Sequence, residues 1–145
     1  MANRVGELER WLHAQAHWRD FATVTFRQPT GLHAARCHWH HLNRTKGARV
    51  SYFAAFERNP GRPGYHIHAL LAGLTCRRSE LWEVFFRHCG RTRIEPIASA
   101  GFVLKYCTKY LCKNGEETWF DIKILGSGER KTLDTFRATC ALSRS

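Results

Sequence analysis

The chain has 145 residues, enough for one domain around one continuous core. Hydrophobic residues make up 43% and charged residues 24%, an ordinary globular balance that excludes a disordered or fibrous chain. Against 12 Asp and Glu stand 23 Lys and Arg, a net charge of +11; this points to a polyanionic partner, nucleic acid first, over a merely soluble basic protein.

Five Trp, four Tyr and nine Phe offer stacking surface, although most are expected in the core. The six cysteines form no Cys-x-x-Cys pair, and the charged first ten residues do not read as a signal peptide, so reduced thiols in a cytoplasmic protein are expected. No run of about 18 apolar residues occurs, so no membrane span is expected. The cluster Cys37-His38-Trp39-His40-His41 invites a zinc reading, but its spacing fits no finger and a helix would scatter it around the axis.

In chain order, Val5 to Arg19 carries Leu8, Trp11, Leu12 and Trp18 near helical spacing and predicts an amphipathic helix that Asp20 breaks. Phe21 to Phe26 is rich in β-formers and reads as a strand. After a Gln28–Gly31 turn, with Thr30 as a cap, Leu32 to about Lys46 reads as a basic helix whose Arg36 and Arg44 are candidate DNA contacts. Gly47 ends it, and Arg49 to Arg58 is a second strand. The segment Asn59-Pro60-Gly61-Arg62-Pro63-Gly64 is dense in turn formers, so this strand forms an antiparallel hairpin with Tyr65–Leu71.

That hairpin holds the first chemical motif, His66-Ile67-His68. Strand side chains alternate, so both imidazoles share one face. Two neutral imidazoles suit a divalent metal; the plainer reading is two surface histidines. A turn symmetric about Gly61 and Arg62 sets Glu57 opposite His66, about 5 Å away. Glu57, His66 and His68 then form an open site for Mn²⁺ or Mg²⁺, unless Glu57 instead pairs with Arg58 or Arg62. Arg62 is a further candidate DNA contact.

Glu80 to Cys89 fits a helix capped by Ser79 and stopped by Gly90; Thr92 to Ile97 is a short strand with Pro96 at its end or edge. Ser99 caps a helix from Ala100 to about Lys113, ended by Asn114-Gly115. On it Tyr106, Lys109, Tyr110 and Lys113 form one stripe, with Lys105 a candidate DNA contact. A phenol is a weak nucleophile near neutral pH, and a neighbouring ammonium favours its phenolate and can neutralise charge on a phosphate. The plainer reading is a core tyrosine pair with snorkelling lysines. Thr118 to Leu125 alternates as a last strand, and a basic tail carries a short helix over Thr132–Leu142. The order αβαββαβαβ predicts an α+β fold, a central antiparallel β-sheet with helices packed on it.

In order and spacing these motifs resemble the replication-initiator branch of the HUH endonucleases, over most of the chain. Phe21–Phe26 resembles their first motif, His66-Ile67-His68 their histidine motif after a Gly-Arg-Pro-type turn, and Glu57 falls where several initiators carry a third metal ligand. Tyr106-Cys-Thr-Lys109-Tyr110-Leu-Cys-Lys113 is similar to the Tyr-x-x-Lys-Tyr-x-x-Lys signature of two-tyrosine phage and plasmid initiators. The resemblance implies nicking and rejoining of single-stranded or hairpin origin DNA through a 5′-phosphotyrosine link. It also implies a monomer working with host replication proteins in a bacterial or archaeal cytoplasm. Relaxases carry a third metal-site histidine that has no counterpart here. No Gly-x-x-x-x-Gly-Lys-Ser/Thr loop occurs, so residues 1–145 read as one HUH domain without a helicase. Some single-tyrosine initiators have a glutamate four residues before the nucleophile; Tyr106 fills that slot relative to Tyr110. A transposase of the same superfamily, a single-strand binder, and a water-activating nuclease remain as rival readings.

Overall fold

The computed structural model describes residues 2–44, 50–111 and 118–125, with side chains for 4–44, 50–109 and 118–125. Among them are α1 (Ala2–Gln15), β1 (Asp20–Phe26), α2 (Leu32–Arg44), β2 (Ser51–Arg58), β3 (Tyr65–Ala72), α3 (Arg78–His88), β4 (Gly90–Pro96), α4 (Phe102–Leu111) and β5 (Trp119–Lys123). The expected element order is the observed one. The fold is α+β, a five-stranded antiparallel sheet in the order β4-β1-β3-β2-β5.

The sheet separates two cores because strand side chains alternate. Ala22, Val24, Ile67, Ala69, Ala54 and Phe56 face one way, onto Ala35, Trp39 and Leu42 of α2 and Leu81 and Phe85 of α3. Leu70, Phe53 and Ala55 face the other way, onto Leu8 and Leu12 of α1 and Val103, Tyr106 and Cys107 of α4. Central strands β2 and β3 are therefore apolar on both faces, whereas β1 alternates between buried and half-buried residues. Thr23, Thr25, His66 and Glu57 lie on the α1/α4 face.

Some boundaries differ from expectation. Asp20 opens β1 instead of breaking a helix: it is buried and ion-paired with Arg78, while α1 stops at Gln15. Ser79 is not the cap of α3. The helix starts at Arg78, and the Glu80 carboxylate turns back to accept the Arg77 N–H at 3.2 Å. Gly90 begins β4, two residues earlier than expected, because its φ of 138° turns the chain directly from the α3 cap into the strand. Lys46, Gly47, Lys113, Asn114-Gly115 and the Thr132–Leu142 helix lie outside the described residues.

Cys37, Cys76, Cys89 and Cys107 are free thiols. Burial pushes Cys89 and Cys107 up to about 12. No helix among the described residues is long and apolar enough to cross a membrane.

A candidate metal centre at the hairpin end

The β2–β3 register is the one the turn implies: Glu57 pairs with His66 and Arg58 with Tyr65. The turn is held open by Gly64, whose φ is 95° and whose Cβ, if present, would lie 2.7 Å from the Thr30 backbone nitrogen. Tyr65 N donates to Thr30 O at 2.9 Å, and Asn59 N donates to Gly64 O at 2.8 Å. These contacts fix the hairpin and so the placement of its side chains.

Three ligating atoms converge there, all within 4.8 Å of one another, and no other such group occurs among the described residues. Glu57 Oε2 lies 3.4 Å from His66 Nε2 and 3.7 Å from His68 Nε2. The two Nε2 atoms are 3.0 Å apart. The imidazoles are about 13–14% exposed and the carboxylate 6%, so the site opens to solvent through the histidines. Lys109 Nζ reaches Glu57 Oε2 at 3.6 Å from α4 and is 46% exposed. An anion approaching the centre therefore meets this ammonium at its rim.

The outer contacts decide which ring nitrogens face inward. Asn59 Nδ2 donates to Pro63 O at 3.1 Å, which orients the amide so that Oδ1 faces His66 Nδ1 at 3.0 Å. An amide oxygen only accepts, so His66 carries its proton on Nδ1 and turns a bare Nε2 into the site. His68 Nδ1 lies 3.1 Å from Thr23 Oγ1, a hydroxyl that can donate or accept. His68 can thus donate its Nε2 proton to His66 without a metal and present a lone pair when one binds. The His68 ring also stacks on Phe21, with centroids 5.7 Å apart and planes 7° apart.

No family model, no curated protein and no solved structure matches the chain. The reading of the centre therefore rests on its own residues. Two nitrogens, each on a ring held by an outer partner, and one buried carboxylate oxygen fit a divalent ion and leave coordination positions open. The mixed donor set suits Mn²⁺ better than Mg²⁺, which favours oxygen.

Of the residues singled out in the sequence, Glu57, His66, His68 and Lys109 come together. Tyr106 does not join them. It is 5% exposed, its phenol donates to His68 O at 3.2 Å, and its ring lies against Phe21 and Phe53. Tyr110 follows one turn later in α4, its side chain outside those described; Lys113 lies outside the described residues. Lys105 is exposed one turn before Lys109, and Arg62 is exposed in the hairpin turn. Arg36 and Arg44 are exposed on α2, in the layer on the far side of the sheet.

Of the α2 histidines, His38 and His41 both meet His88 of α3, His38 Nδ1 at 3.3 Å from its Nε2 and His41 stacked on its ring, while His40 pairs with Asp121 of β5; none of them belongs to a three-ligand group among the described residues. Asn59 and Thr23 were not singled out from the sequence. Asn59 reads there as a turn former and Thr23 as a β-former, and each role is true as far as it goes.

Proposed function

We propose that the protein nicks and rejoins single-stranded DNA through a tyrosine-linked intermediate, initiating rolling-circle replication of a phage or plasmid. The observation that supports this best is the Glu57–His66–His68 cluster with Lys109 3.6 Å from its carboxylate. It sets three groups that could hold a divalent ion, and a cation, beside α4, which carries Tyr106, Lys109 and Tyr110. The Tyr-x-x-Lys-Tyr-x-x-Lys stripe, the histidine motif and the net charge of +11 are what resemble the initiator branch of the HUH endonucleases.

Glu57, His66 and His68 would hold Mn²⁺ or Mg²⁺, which when bound polarises the scissile phosphate. Asn59 and Thr23 keep the imidazoles aimed at that position. Lys109 offsets negative charge on the phosphate and favours a phenolate nearby. The attacking phenol is assigned to Tyr110, because the Tyr106 hydroxyl is engaged in the core. The phenolic oxygen forms a bond to phosphorus while the bond from phosphorus to the 3′-oxygen breaks. The phenol gives up its proton and the released 3′-oxygen gains one. Attack by a 3′-hydroxyl reverses the step and rejoins the strand.

The test is incubation with Mn²⁺ and a pool of single-stranded oligonucleotides, followed by denaturing electrophoresis. A slower-migrating adduct is expected. It should disappear with a chelator, in His66→Ala and in Tyr110→Phe, and persist in Tyr106→Phe. Cleavage without an adduct would instead indicate a nuclease that activates water. Metal-independent binding without cleavage would indicate a binding protein.

A further inference from the structure

Trp82 and Phe86 stand apart from both cores. They are one turn apart on α3, 39% and 42% exposed, with ring centroids 4.8 Å apart and planes only 9° apart. Core packing by α3 is done by Leu81 and Phe85, which are fully buried, so stability does not require two large rings on the outer side. The rings are nevertheless held in place. Trp82 Nε1 donates to Thr92 O of edge strand β4 at 2.8 Å. Arg27 Cζ lies 5.1 Å from the Phe86 ring centroid, and its guanidinium donates to the carbonyls of Phe86 and Arg87 at the end of α3. Ring, ring and guanidinium form one pre-organised row at the outer edge of the sheet.

The surroundings are basic. Arg87 of α3 is exposed next to Phe86, whereas Arg91 and Arg93 of β4 pair with Thr25 and Thr23 and are exposed on the α1/α4 face, across the β4 edge from the row. At the row the cations are Arg27 and Arg87, with Glu83 paired to Arg87; across the edge Glu95 pairs with Arg93. Flat, exposed, immobilised rings beside guanidinium groups take nucleobases on their faces and phosphates on the arginines.

We propose that Trp82, Phe86 and Arg27 form a base-stacking platform for single-stranded nucleic acid, distinct from the metal centre. The β-ladder links the two places: Arg91 pairs with Thr25, Thr25 with His66 and His66 with Glu57. A strand that leaves the platform and rounds the β4 edge then has three inter-strand spacings, about 14 Å, to cross on the α1/α4 face before reaching Glu57. The platform therefore holds the flank of a strand whose scissile phosphate lies at the metal centre. Only this last link rests on the proposed nicking; the platform itself needs no metal.

The test is fluorescence anisotropy with a labelled oligothymidylate in the presence of a chelator, on wild type, Trp82→Ala, Phe86→Ala and Trp82→Phe. Each alanine variant should bind about 10- to 100-fold more weakly, and Trp82→Phe should keep most of the affinity. Calorimetric Mn²⁺ affinity should be unchanged in all of them. If an alanine variant loses its native circular dichroism, Phe86→Leu, which keeps apolar volume and removes the ring, decides the matter. Unchanged binding in folded Phe86→Ala and Phe86→Leu, or no binding by wild type, overturns the proposal. So does a wild-type dimer in sedimentation velocity that Phe86→Ala converts to monomer, because the surface then belongs to a second copy. Loss of the DNA adduct with platform binding intact would refute nicking alone.

Discussion

Asn59 ties the hairpin turn to a metal-site imidazole, and its amide orientation is set by Pro63 rather than by the site. Such outer contacts typically contribute 10- to 100-fold in metal affinity. Asn59→Ala should therefore weaken Mn²⁺ binding by about that factor in isothermal calorimetry while His66 and His68 stay in place. Thr23→Val should act in the same direction through His68. Tyr106 makes the opposite case, a residue whose chemistry is absorbed by packing. Removing its hydroxyl leaves His68 O without that donor, so Tyr106→Phe should cost about 1 kcal/mol in urea denaturation. Tyr106→Ala leaves a cavity against Phe21 and Phe53 and should cost about 3–5 kcal/mol. The sequence showed a tyrosine pair at helical spacing but not that Tyr106 faces a carbonyl of the histidine strand. Only the sheet's position against α4 decides that.

At the scale of elements, the β2–β3 hairpin was the most legible feature and matters most for the site. A turn of six residues symmetric about Gly61 and Arg62 leaves one register, and a slip by one residue would turn Glu57 to the other face. Gly64 enforces it. Gly64→Ala adds a Cβ 2.7 Å from the Thr30 backbone nitrogen at a φ of 95°, so it should destabilise the fold by roughly 2 kcal/mol or more. It should also weaken Mn²⁺ binding, because the hairpin end must shift.

Helices α3 and α4 carry a second test. Burial raises the Cys89 and Cys107 thiols from 9.0 to about 12. Between those values the unfolded chain has lost thiol protons that the folded chain keeps, so stability falls as pH rises. The urea midpoint should be lower at pH 10.5 than at pH 8. Both thiols should resist alkylation in the native protein, in contrast to exposed Cys37.

For the molecule as a whole, the two hydrophobic clusters on either side of the sheet do not include Glu57, His66 or His68. The fold should therefore survive chelation, with native circular dichroism retained. Bound Mn²⁺ adds stability by mass action, about 2.7 kcal/mol at a hundredfold excess over Kd, so the melting temperature should rise by several degrees. In Glu57→Ala that rise should vanish.

What the sequence determined alone was local or periodic: the order of the elements among the described residues, an α+β class, one hairpin register and two imidazoles on one face. Each follows from alternation, helical spacing or turn chemistry within a short stretch of chain. The tertiary structure decided what depends on residues far apart in sequence. It brought Lys109 to Glu57, set Thr23 against His68, withdrew Tyr106 into the core and sent Arg36 and Arg44 to the opposite layer. The reason is the sheet order β4-β1-β3-β2-β5, which chooses neighbours for each strand and a face for each helix, and no local pattern encodes that choice.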